Sequence, residues 1–185
     1  MNKNGKIKTT TVVRGDAENP SKLPLSRITY ELSQRKMRYF EEILNGAHAE
    51  ATTGNSEEVS DNLASIKPTL GGYDQSLQNI GKAVSGRAIV DNETRPCIGH
   101  GTLAKVYRDS EPLLMLFEYD PPPVPVGDDF GIMLISMATP IATALRDKKV
   151  NEKVTVNTFT YTVNKIFTKI ELLDLVFPKP EPASA

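Results

Sequence analysis

Leu63-Ala-Ser-Ile66-Lys-Pro-Thr-Leu70-Gly-Gly-Tyr73-Asp-Gln-Ser-Leu77-Gln-Asn-Ile80-Gly-Lys-Ala-Val84 is the stretch that decides the fold. Its apolar residues recur in steps of three and four, which is a heptad seam on one face of a helix. Upstream, Ile28, Leu32, Tyr39, Phe40, Ile43, Leu44 and Ala47 also fall at helical spacing. Ser26 is placed to cap that run, and no Gly or Pro interrupts it until Gly46. A helix is predicted from about residue 26 to 50, and Ala51–Ser56 reads as a turn. Two helices of similar length joined by a short polar turn predict an antiparallel α-hairpin, a coiled coil with arms about 35 Å long. Such a hairpin has little core of its own and must be anchored to something. Pro68, Gly71 and Gly72 interrupt the seam. Proline in a helix interior costs about 3 kcal/mol, so a kink or a break into two helical pieces is predicted there.

After Gly86 the apolar period drops to two. Strands are predicted at Ala88–Val90, Thr102–Tyr107, Leu113–Tyr119, Ile132–Ser136, Lys153–Val156 and Thr160–Phe167. One short helix, Pro140–Asp147, has its proline at the favoured first-turn position. Asp120–Asp129, with four prolines, reads as a stiff loop. The class is therefore α+β, an N-terminal helical hairpin followed by a small antiparallel sheet with one short helix. The predicted organisation is a disordered basic tail over 1–25, the hairpin over 26–87 with its tip near 51–61, the α+β domain over 88–177 and a tail over 178–185. Thr9–Val13 fits a short strand within the first tail, and Glu171–Phe177 a short final element packed on the sheet.

Composition excludes several classes. The 185 residues carry 22 Lys and Arg against 23 Asp and Glu, so no global basic field draws the chain to DNA or an anionic membrane. Through Arg95 the balance is 13 basic to 12 acidic, so neither half is a polyelectrolyte. No apolar run approaches the roughly 18 residues of a membrane span, and no signal-peptide stretch opens the chain. The lone Cys97 can form no internal disulfide, which fits a reduced, cytoplasmic compartment. It has no base nearby in sequence and reads as a small core residue. No P-loop, nucleophile elbow or metal-ligand cluster occurs. His48 and His100 do not pair in the pattern, and Gly99-His100-Gly101 reads as a turn entering a strand.

The informative chemistry lies at the predicted tip. Asn55 with Glu58 three residues on makes a capping box. Glu58 and Asp61 are i, i+3 neighbours, so their carboxylates share a helix face. Two carboxylates so placed can hold a hard divalent cation, with water or phosphate completing the shell. Acids in a first helical turn are also favoured by the helix dipole alone, by about 0.3–1 kcal/mol each.

Ile135-Ser-Met-Ala-Thr-Pro-Ile-Ala-Thr-Ala-Leu145, followed by Lys148–Val156, resembles the C-terminal signature of the bacterial Gre transcript cleavage factors. That signature reads I-S-x-x-S-P-x-A-x-A-L and then G-K-x-x-G-D-x-V-x-V. Thr139 replaces its second Ser, and Asn151-Glu152 its Gly-Asp. Ile98–Val106 is similar to the strand that opens the same domain, and Ala88–Asp91 to the exit from the hairpin. At the tip, Glu57-Glu-Val-Ser-Asp-Asn62 lies over the family's G-D-L-x-E-N. Glu58 stands for the Asp and Asp61 for the Glu, so the two acid types are exchanged. The resemblance covers roughly residues 26–168. Pro68, Gly71, Gly72, the long tip turn, the Pro-rich loop and the N-terminal 25 residues depart from the family.

The resemblance implies an FKBP-like C-terminal domain and a hairpin that enters the secondary channel of a bacterial-type RNA polymerase. It implies that Ser136, Thr139 and Pro140 lie on the polymerase-binding surface. Glu58 and Asp61 would act at the polymerase active site, sharing a Mg²⁺ ion, so that backtracked RNA is cut. The protein would then be no enzyme itself, would bind no cofactor alone, and would meet the nascent RNA 3′ end only indirectly. The basic face that guides RNA is thin, with Lys67 near the tip and Arg35, Lys36 and Arg38 further back. A Gre-like inhibitor that leaves cleavage unstimulated and a Gre-domain interaction adaptor are the alternatives. A prolyl isomerase would need an aromatic-lined pocket, and this half offers few Tyr and Phe and no Trp.

Overall fold

Ser26 opens the helical half. Its hydroxyl accepts a hydrogen bond from the Thr29 backbone N–H at 3.3 Å, so it caps helix α1, Arg27–Ala51, as its sequence position predicts. The computed structural model describes residues 22–51, 56–91, 94–168 and 171, with side chains at all of these except 48, 50, 51, 56–63, 65 and 66. Most of both predicted tails, the Thr9–Val13 strand, the Asn55 cap and nearly all of the Glu171–Phe177 element lie outside the described residues, as does the His48 side chain.

Helix α2 runs unbroken from Ser56 to Val84 with Pro68 inside it. The two pieces expected from the proline are one helix. Proline removes a single N–H, whereas helices in proteins are held mainly by tertiary packing of their apolar face. Here Tyr73, Leu77, Ile80 and Val84 pack into the core that contains Ile28, Leu32 and Phe40 of α1. Tyr73 faces Phe40 at 5.4 Å between ring centroids, and the Cβ position of Gly81 lies 3.9 Å from Met37 Cε. These pairs run in opposite sequence order, so the helices are antiparallel. A two-stranded parallel ladder closes their base, β1 (Leu25–Ser26) against β2 (Ile89–Val90). The strand expected at Ala88–Val90 is present over two residues, whereas its partner Leu25–Ser26 was not expected. Leu25 is fully buried, and Lys22 donates to the Ser85 carbonyl at 2.9 Å, so residues 22–25 belong to the fold rather than to the predicted tail.

The second half forms a five-stranded sheet in the order β5-β4-β3-β7-β6. The strands are β3 (Leu103–Arg108), β4 (Glu111–Glu118), β5 (Ile132–Ser136), β6 (Lys153–Val156) and β7 (Phe159–Ile166). The expected all-antiparallel sheet is corrected to a mixed one, because β4 and β5 pair in parallel. Parallel neighbours need a crossover of about a dozen residues rather than a tight turn, and Tyr119–Gly131 supplies it. That is what the Pro-rich loop does. Its end is not loop as expected, since Asp128–Phe130 forms a 3₁₀ turn. Gly127 is required there, because a Cβ would stand 2.6 Å from the Ile132 carbonyl oxygen.

The period of two divides the strands between two cores. Leu103, Leu116 and Ile132 join Ile28, Leu32, Phe40 and Ile80, so the helical base sits on one face of the sheet. Ala104, Val106, Met115, Phe117 and Val163 face the other way and are covered by Ala142 and Leu145 of helix α3, Pro140–Leu145.

Candidate functional site

Three regions hold the buried charged groups and the residues singled out from the sequence: the joint where the helices meet the sheet, the turn before α3, and the far end of the helices. The joint centres on Glu118, the last residue of β4, which is 0% exposed. One carboxylate oxygen accepts hydrogen bonds from the Ser26 and Thr29 hydroxyls. The other lies 2.8 Å from His100 Nε2 and 3.4 Å from the Ser26 backbone N. The His100 ring stacks on Tyr119 at 4.4 Å. A buried carboxylate is tolerated only with such donors, and among the described residues no buried side-chain N or O lacks a partner.

Arg87, just past α2, is the second clamp. Its Nε donates to the Leu23 carbonyl at 2.8 Å, Nη2 to Pro24 at 3.1 Å and Nη1 to Asp120 at 2.6 Å. Burial lowers the guanidinium pKa, against the attraction of Asp120 and Glu118, yet an arginine stays charged across any working pH. Lys36 is the third. Its ammonium lies 3.1 Å from Asp128 Oδ1 and 3.1 Å from Asp129 Oδ1, which ties α1 to the crossover. Burial acts to lower its pKa, but the hydrogen bonds and attraction of the two aspartates outweigh burial and raise it.

Ser136, Thr139 and Pro140 form the turn between β5 and α3. Thr139 Oγ1 donates to the Ser136 carbonyl at 2.7 Å and accepts from the Ala142 N–H at 3.3 Å, capping α3 with Pro140 in its first turn. Ser136 Oγ donates to the Tyr119 carbonyl at 3.2 Å. Both hydroxyls thus shape the turn, and Ala138 and Pro140 are its exposed residues. The turn abuts the joint, for the Met137 N–H donates to the Glu118 carbonyl at 2.6 Å. Residues 118–120 therefore touch the helical base on one side and the turn on the other.

Glu58 and Asp61 fall in the first two turns of α2, and their side chains lie outside the described residues. With a rise of about 1.5 Å per residue, Glu58 stands about 33 Å along the helix from Ile80. Lys67 is exposed and lines a groove of about 650 Å³ with Leu44, Ala64, Leu70, Gly71 and Asp74. Of the basic residues further back, Lys36 is taken up by its aspartates, and Arg35 lies 5.0 Å over the Phe130 ring.

Glu118 was missed in the sequence, although a signal was present. It shares strand parity with Leu114 and Leu116, so period two places it on the core face. Gly99-His100-Gly101 is a turn before β3, as expected, but its histidine reaches the joint. Cys97 is half-buried. Among the described residues no cluster of three or more metal-ligating side chains occurs, and no helix is long and apolar enough to cross a membrane.

No family model and no curated protein matches this chain. Solved structures do show similarity, among them the following three. GreA factor homolog 1 (Gfh1) of Thermus thermophilus is 18% identical over 79% of this chain and 99% of its own, with a TM-score of 0.35. A second structure of the transcription factor Gfh1 is 17% identical over 78% and 97%, with a TM-score of 0.33. Gfh1 of Thermus aquaticus is 18% identical over 78% and 97%, with a TM-score of 0.32.

Proposed function

We propose that this protein is a Gre-like transcription factor that binds a bacterial-type RNA polymerase and places its helical hairpin in the secondary channel. The observation that carries this reading is α2, a single helix that starts with Glu58 and Asp61 in its first turns and ends in a base clamped to a sheet. A pair of acids about 18–22 Å along the helix beyond Tyr73, the first residue of α2 packed on the core among the described ones, is built to work inside another molecule. The signature segment Ile135–Leu145 supports it, folding as a strand, a capped turn and a helix with Pro140 leading. In this reading the C-terminal half is the FKBP-like domain, and the turn holding Ser136, Thr139 and Pro140 meets the polymerase.

Glu58 and Asp61 would hold a Mg²⁺ ion together with the polymerase. The donor set fits a shared ion and not a resident one, since two carboxylates leave most of an octahedral shell to other ligands. Such an ion supplies an activated water for hydrolysis of the RNA. What this chain contributes is delivery of two carboxylates and exclusion of competing occupants from the channel. The exchange of acid types at 58 and 61 favours a second reading, in which the hairpin fills the channel and inhibits without stimulating cleavage. Each exchange moves a carboxylate by about one methylene, and misplacement near 1 Å can cost about a hundredfold.

The test is a polymerase stalled in a backtracked complex, given the protein and Mg²⁺. Short 3′ RNA fragments that disappear with Glu58→Ala/Asp61→Ala establish stimulation. Binding with slowed synthesis and no added fragments establishes inhibition. Absence of binding to polymerase overturns both.

A further inference from the structure

We propose that Pro68–Gly72 is a hinge in α2, about which the distal part of the helical pair turns while the base stays fixed. Among the described side chains, none beyond Phe40 on α1 and none before Ile80 on α2 is buried. Packing therefore fades before the level of Pro68. The chemistry of the segment weakens it further. Pro68 has no N–H to donate to the Ala64 carbonyl, so one helical bond is missing. Gly71 and Gly72 follow at once, both exposed, and a Cβ on either would meet nothing within 4 Å. They serve no close approach, so their effect on the helix is the loss of backbone order that glycine brings. Gly46, at the matching level of α1, likewise has nothing within 4 Å of its Cβ position. The groove beside Gly71, about 650 Å³, leaves the helices room to close on each other there.

A continuous helix with its weakest bonds, its most permissive residues and an unfilled groove at one level opens locally at that level. The open space at Gly71 and Gly72 makes the hinge testable without steric damage. Hydrogen exchange is measured on the full chain with no polymerase present, so the outcome is independent of the function proposed above. Amides at 69–73 are expected to exchange faster than those at 77–84. Gly71→Ala/Gly72→Ala is expected to slow exchange at 69–73 by about 5–30-fold while leaving 77–84 unchanged. Pro68→Ala, which restores the N–H, is expected to act in the same direction. Equal protection along α2, or exchange at 69–73 that neither variant slows, overturns the hinge.

Discussion

Replacing Glu118 tests whether the joint is held by its buried carboxylate. Glu118→Ala removes the acceptor shared by the Ser26 and Thr29 hydroxyls and His100. Hydrogen bonds to a charged group contribute about 1.5–3 kcal/mol each, and donors left unsatisfied in a core cost a similar amount. The terms do not simply add. Ser26 Oγ and Thr29 Oγ1 lie 3.1 Å apart and can bond each other once the carboxylate is gone. A total loss of about 3–5 kcal/mol follows, less than the sum of the separate bonds because the two hydroxyls re-pair. Glu118→Gln is the control. Its carbonyl can accept from both hydroxyls, and its amide can donate to His100 in the other tautomer. Shape and partners are kept, and about 1–2 kcal/mol is lost with the charge.

The assay is urea unfolding followed by circular dichroism at neutral pH. With a slope of about 2 kcal/mol/M, Glu118→Ala should lower the midpoint by about 2 M and Glu118→Gln by about 0.5–1 M. The ranking is the sharp part. Glu118→Ala within about 1 kcal/mol of the parent, or Glu118→Gln as damaging as Glu118→Ala, refutes the carboxylate as the organiser of the joint.

Three further predictions concern single contacts. Lys36→Met should cost about 1 kcal/mol, because the aspartates it leaves are half-exposed. The Lys36 pKa is raised on folding, so its share of stability is full below about 10.5 and is lost as pH climbs through the folded value; the gap between parent and variant in urea midpoint should close there. Thr139→Ala should destabilise by about 1 kcal/mol through loss of the α3 cap, read as a lower melting temperature, with Thr139→Ser restoring it. The Glu171 carboxyl is held at about 2 by Lys165, then by the Thr168 N–H and hydroxyl. Its contribution is present above the ordinary 4.5 and is lost as pH falls toward 2, so carbon-detected NMR should show a midpoint near 2 that Lys165→Met moves upward.

What could be read from the residues follows from the range over which they act. Ile132–Ser136 and Lys153–Val156 agree with the strands residue for residue, since alternation is written into adjacent positions. Helix α1 agrees to within one residue at each end, because Ile28, Leu32 and Phe40 mark its face and Ser26 its start. The parallel pairing of β4 with β5 has no local pattern, for it depends on the crossover travelling back along the sheet. For Glu118 the local parity with Leu114 and Leu116 points inward, but residue type argues against it. Hydropathy sends a glutamate to solvent, and two of the partners that keep it inside, the Thr29 and Ser26 hydroxyls, are 89 and 92 residues away in the chain. Pro68 failed in the opposite direction. A local rule predicted a break, and the packing of Tyr73, Leu77 and Ile80 kept the helix whole.

The joint and the hinge bear on the proposed function through leverage. At about 33 Å from the base, a rotation of about 2° at the joint moves Glu58 by about 1 Å, enough to matter in a positioned reaction. Three clamps, at Glu118, Arg87 and Lys36, hold the base from different sides. Residues 118–120 also support the turn that would meet the polymerase, through the Glu118 and Tyr119 carbonyls. The direction of the helical pair is therefore set relative to that turn by contacts one residue apart. A rigid base with a yielding middle divides the labour. Under the proposed function, the base would aim the hairpin, and the walls of a receiving channel would impose the last ångström on the acids beyond Pro68.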